Sequence, residues 1–226
     1  MAHKRQMVIM HDNTAALLAG IGCAFAVEPQ RNADIEASLF WASDQALKEL
    51  DFRTLGLIVQ WVDVHDRYLN QPRLLRFLKQ ALPLTLRFWR AIAQWKAQNR
   101  KWHSILKLQT HTTRFDLLPI GTDFQIQRKG EDPRFIHTDL RIPKDLLRVR
   151  SGAVLSQSEL VSFHRIYAHR VQLGVCLRAD LWAHLTLEPK ITAAQLANKV
   201  GCAFASAWAV KQDFELLNQA PPYRKA

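Results

Sequence analysis

Cysteine is scarce in this chain of 226 residues: Cys23, Cys176 and Cys202 lie far apart, with no CxxC pair and no histidine at ligand spacing. That excludes a disulfide-stapled scaffold and a cysteine zinc site, and it favours a reducing compartment. No apolar run approaches the ~20 residues that span a bilayer, so no membrane partner is expected. Glycine-rich phosphate loops, a GxSxG elbow and a paired cysteine–histidine nucleophile are missing as well. His11-Asp12 and His65-Asp66 hint at a metal phosphohydrolase, but that chemistry needs further ligands at helical spacing. His164 and His169 are five apart rather than four, and His103 and His111 are eight apart. The sequence therefore predicts no enzyme, no metal and no cofactor.

Acidic side chains are also short in number, 20 against 31 Lys+Arg, for a net charge of +11. Such an excess attracts polyanions and says nothing about fold. Its distribution is uneven. Residues 1–50 hold 4 basic and 6 acidic side chains, whereas residues 67–150 hold 18 basic and 6 acidic. What is abundant is apolar surface: 48% hydrophobic and 23% charged residues are ordinary for a folded chain and exclude wholesale disorder.

At the N-terminus, Lys4 and Arg5 precede an apolar stretch over 15–27, and Ala24-Phe25-Ala26 imitates a small-x-small cleavage site. Asp12, the polar His11-Asp12-Asn13 and the glycine and cysteine breaks within the stretch argue against export, so a cytoplasmic location is expected. Beyond it, Asn32 and Asp34 cap a helix running to about residue 50, and residues 55–64 read as a buried helix. Asn70 two residues before Pro72, then Pro83, open two more, to about residues 80 and 98. From about Thr110 the texture changes. Residues 112–115, 124–127 and 134–137 alternate or carry β-formers between Gly121, Gly130 and Pro133, which predicts two or three short strands. Pro143 should begin another helical tract. Ser156-Gln157-Ser158-Glu159 reads as a capping box opening a helix to about residue 171, ended by Gly174, and residues 176–187 read as the next helix, stopped by Pro189. The expected fold is mainly α, with a helical domain at 1–108, a basic short-strand and loop segment at 109–150, and a helical domain at 151–226.

The most informative stretch is Thr192-Ala193-Ala194-Gln195, a second capping box, followed by Leu196, Ala197, Val200, Gly201, Cys202, Ala207 and Val210. A small residue at 197 permits a close helix crossing, Gly201 permits a left-handed turn, and the aliphatics fill a small core. Residues 193–212 resemble the helix-turn-helix superfamily of DNA-binding domains at the positions that shape the motif, with 176–187 as the third helix of a trihelical core and no room for a wing. That resemblance implies that the first residues of the second helix meet base edges. Here they are Ala203, Phe204, Ala205 and Ser206, with Lys199, Ser206, Lys211 and Gln212 as the polar groups able to face DNA. Phe204 and Trp208 mark either core or a partner surface. The same words recur near the start: ten of the thirteen residues 14–26 match 192–205 once one gap is allowed, which reads either as a duplicated motif or as biased Ala/Leu usage.

Arg73, Arg76 and Lys79 are three apart, Arg87 and Arg90 follow, and Lys96, Arg100, Lys101 and Lys107 interleave with Trp89, Trp95 and Trp102. Arginine forks bind phosphate and tryptophans can stack on bases, although such spacing also describes a solvated helix face over a core. Arg141, Lys144, Arg148 and Arg150 form a further cluster. Together these patterns predict a nucleic-acid-binding regulator, a homodimer contacting duplex DNA through the C-terminal module, with phosphate contacts from Arg73, Arg76, Arg87, Arg90, Arg148 and Arg150. The alternatives are a protein-interaction or antitoxin-like component that docks a protein partner on Phe204 and Trp208, and an RNA-binding protein using the tryptophan-rich basic helices.

Overall fold

The computed structural model describes residues 13–108 and 113–219, so the basic N-terminus, His11-Asp12, His111, Thr112 and the Pro221-Pro222 end lie outside the described residues. It is mainly helical and divides into two compact units, one up to Gln157 and one from Ser158. No described helix is long and apolar enough to cross a membrane.

The first unit begins with α1 (Thr14–Gly20), α2 (Ile35–Glu49), α3 (Phe52–His65), α4 (Gln71–Leu78) and α5 (Pro83–Trp95), with α2 packed against all the others. Local chemistry sets the starts. Asp34 accepts the Ala37 amide at 3.0 Å, Asp51 the Thr54 amide at 3.0 Å and Asn70 the Arg73 amide at 3.1 Å, each side chain serving a donor that the helix cannot bond itself. Pro72 and Pro83 sit in the first turns, where a missing amide costs nothing. Apolar faces then close on a core holding Trp61, Trp89 and Trp102, whose ring N–H groups donate to Ile21 O, Ser43 Oγ and Asp66 Oδ1 at 2.8–2.9 Å. Buried indoles need such partners.

The middle of the chain departs from the expected strands. After the short α6 (His103–Leu106), the only ladder among the described residues is β1 (Phe115–Asp116) paired in parallel with β2 (Leu140–Arg141), two residues each. Residues 124–127 lie instead within α7 (Thr122–Lys129). Asp123 in the first turn and Arg128 and Lys129 in the last complement the helix dipole, and they outweigh the Phe-Gln-Ile-Gln alternation, whose Phe124 is 62% exposed and has no sheet to lie on. Residues 134–137 form turns. The tract after Pro143 is not helical either: Pro143 bridges Glu131, and Asp145 takes a left-handed φ of 69° that a helix cannot contain.

The second unit follows α8 (Gln157–Phe163) with α9 (Arg165–Leu173), α10 (Leu177–Leu187), α11 (Ala193–Val200) and α12 (Phe204–Gln219). The single helix expected from residue 156 to 171 is two helices, because buried His164 adopts extended backbone and turns its Nδ1 to accept the Tyr167 amide at 3.2 Å, capping α9. Arg170 of α9 and Asp180 of α10 form a two-pronged buried pair at 2.7 and 3.1 Å. It ties the two helices together where neither side chain reaches water.

Candidate nucleic-acid interface

The C-terminal helices assemble around Gly201. Thr192 Oγ1 accepts the Gln195 amide at 3.2 Å while the Gln195 side chain reaches back to the Thr192 amide at 3.1 Å, so α11 starts at a complete capping box. Gly201 ends it at φ 72°, ψ 51°, the left-handed region that a side chain disfavours. The Gly201 and Cys202 amides both return to Ala197 O, closing the turn before α12 departs. Leu181, Leu185, Ile191, Leu196, Ala197, Val200, Ala207 and Val210 fill the core between α10, α11 and α12. Replacing Gly201 with alanine should cost ~1–2 kcal/mol in urea unfolding, the penalty of a left-handed Cβ, and asparagine should cost less. Equal stability of glycine and alanine would mean that the turn relaxes.

Only one side of α12 faces that core. Ala207 and Val210 point inward, while Phe204 is 57% and Trp208 51% exposed, one helical turn apart. Ala203, Ala205 and Ala209 are exposed beside them, with Ser206 half-buried. Both aromatic residues are therefore surface, the question that the sequence left open. Of the other polar groups, Gln212 is exposed and near Glu215. Lys199 pairs with Glu188, whose carboxyl it holds below the usual carboxylate range, and Lys211 pairs with Glu215 at 2.9 Å. These are accessible pairs, which contribute ~0–1 kcal/mol and exchange readily for another anion.

The N-terminal recurrence of this pattern does not repeat its shape. Thr14 is already helical and donates to Gln45 Oε1 rather than capping, and Gly22 turns at φ 92°. No helix follows it, for Cys23 bridges Val154 and the chain runs irregularly to residue 34. Burial pushes the Cys23 thiol up to about 12, so it is protonated and unreactive at neutral pH.

In the first unit, the arginines read as phosphate ligands have different fates. Arg90 is 5% exposed, donating to Asp139 at 2.9 Å and to the Leu106 and Leu108 carbonyls at 2.6 Å. Arg73 is turned onto Asp34 and lies 3.9 Å from Glu36. Both are structural cations. Arg87 is half-buried with its guanidinium 5.5 Å above the Phe115 ring, and Arg141 is paired with Asp116 and Asp123. Arg76, Arg148 and Arg150 are exposed, as are Lys144 and, missed from the sequence, Arg128 and Lys129 at the end of α7. Those two were hidden by reading their helix as a strand. The tryptophans expected to stack do not offer a platform: Trp89 and Trp102 are fully buried, and half-buried Trp95 lies under Lys96 and Arg134.

No family model, curated protein or solved structure matches this chain.

Proposed function

We propose that this chain is a nucleic-acid-binding regulator that lays the first turns of α12 in the major groove of duplex DNA. The observation that carries the reading is the glycine-turned pair α11–α12, packed on α10, with the outer front of the second helix left uncovered by its own core. A helix is the element that a major groove admits, and its leading residues are those that reach base edges. The net charge of +11 supplies attraction to phosphate, and Lys199 at the end of α11 and Lys211 midway along α12 sit in surface pairs weak enough to exchange. Arg148 and Arg150 are the exposed arginines proposed as phosphate ligands, whereas Arg73 and Arg90 are spent inside the fold.

A titration of random-sequence duplex at rising salt tests this. Log K should fall linearly with log salt, and the double variant K199E/K211E should bind at least ~10-fold more weakly with a slope shallower by about two. A flat salt dependence in the unmodified chain would overturn the reading, and an unaltered isotherm in the variant would remove the C-terminal unit from the contact. The second reading, a protein partner on the same front, is favoured by half-exposed Phe204 and Trp208, which ordinary solvent-facing helix positions would not carry. Absence of duplex binding at any salt selects it.

A further inference from the structure

The front of α12 has a composition that narrows what it can read. Ala203, Phe204, Ala205, Trp208 and Ala209 are its exposed residues up to position 209, and Ser206 between them is half-buried. None carries the amide or guanidinium that grips a purine edge with two hydrogen bonds. From Pro189 to Gln212, the residues that build α11, the turn and the first half of α12, the charged side chains are three lysines, two of which hold Glu188 and Glu215 from just outside the stretch. A face that is apolar at its centre and edged by lysines whose surface pairs an incoming phosphate can replace suits a polyanion that itself presents apolar groups.

We propose, resting on the reading of α12 as a major-groove helix, that this front reads the 5-methyl groups of thymine. Among the four bases, thymine alone sets an apolar group on the major-groove edge, and alanine and phenylalanine side chains are its natural contacts. A donor or acceptor of another base pressed against Phe204 would lose its water with no partner in return. Positions 204 to 209 rise ~7.5 Å along the helix, about two base steps, so the face covers about two methyls on neighbouring pairs.

The test begins by selecting the tightest duplex from a random pool, then synthesising it once with thymine and once with uracil, which deletes the methyl and leaves every hydrogen-bonding group. Burying one such carbon changes affinity about fourfold, so the uracil duplex should bind about fifteenfold more weakly. F204A and W208A, at exposed positions and checked for helicity by circular dichroism, should shrink that ratio towards one while keeping the salt dependence. Equal affinity for the thymine and uracil forms overturns methyl reading and leaves duplex binding standing. No binding to either form overturns both, and the face then belongs to a protein partner. A ratio that survives unchanged in F204A and W208A places the methyl contact elsewhere and also overturns the inference.

Discussion

Asp180→Ala should lower the stability of the C-terminal unit by ~3–5 kcal/mol, the cost of removing one member of a buried ion pair. Arg170 is 2% exposed, and its Nε and Nη2 both donate to this carboxylate, at 2.7 and 3.1 Å. Alanine deletes the acceptor and leaves a guanidinium where water does not reach, so desolvation is no longer compensated by the two charge-assisted bonds. The pair also joins the end of α9 to the start of α10, and α10 is one wall of the core beneath α11 and α12. Fraying there would loosen α11 and α12 as well. A paired replacement, Arg170→Met with Asp180→Leu, removes both charges and should restore most of the loss, because neither member of the pair is then left as a lone buried charge. Urea unfolding followed by circular dichroism reads each variant. A loss below ~1 kcal/mol for Asp180→Ala would show that the pair is solvated.

The range of each contact along the chain explains where the sequence was legible. Helix starts were, because a cap acts over three residues: Asp34, Asn70 and Thr192 each bond an amide three positions on. The glycine turn at 201 was legible for the same reason. Short strands were not, since β1 and β2 are two residues long and meet across 25 residues of chain, and nothing local marks them. Nor was the fate of the arginines. Arg73 and Arg90 sit at spacings that read as a solvated helix face, yet Arg73 finds Asp34 39 residues away and Arg90 finds Asp139 49 away. A basic helix can point inward when a distant carboxylate arrives to meet it, and only folding shows which cation is met. Phe204 and Trp208 illustrate the converse. Their four-residue spacing fits core or surface equally, and the register of Ala207 and Val210 decides for surface.

Acid should destabilise the first unit through His65. Its ring is fully buried at the end of α3, 4.7 Å from the Trp61 ring, and its Nε2–H donates to Leu155 O at 3.0 Å. Burial pushes the imidazole pKa down from 6.5 to about 4, against a smaller upward effect of the Leu155 carbonyl. Because the folded value lies below the unfolded one, the unfolded chain takes up the proton first as pH falls. Stability from this group is therefore whole above pH ~6.5, declines between ~6.5 and ~4, and is flat below, a span worth about 3 kcal/mol. Leu155 follows Val154, whose bridge to Cys23 fastens the far end of this unit beside α1; the imidazolium would still donate to Leu155 O across 90 residues of chain, so what acid costs is the burial of the ring and not this bond. Glutamine at position 65 can donate to the same carbonyl without titrating. Urea midpoints measured from pH 7.5 to 4 should fall more steeply for the native chain than for His65→Gln, with the difference confined to the interval between the two pKa values. Parallel profiles would show that His65 carries its proton equally in both states, and would remove it as the source of acid sensitivity.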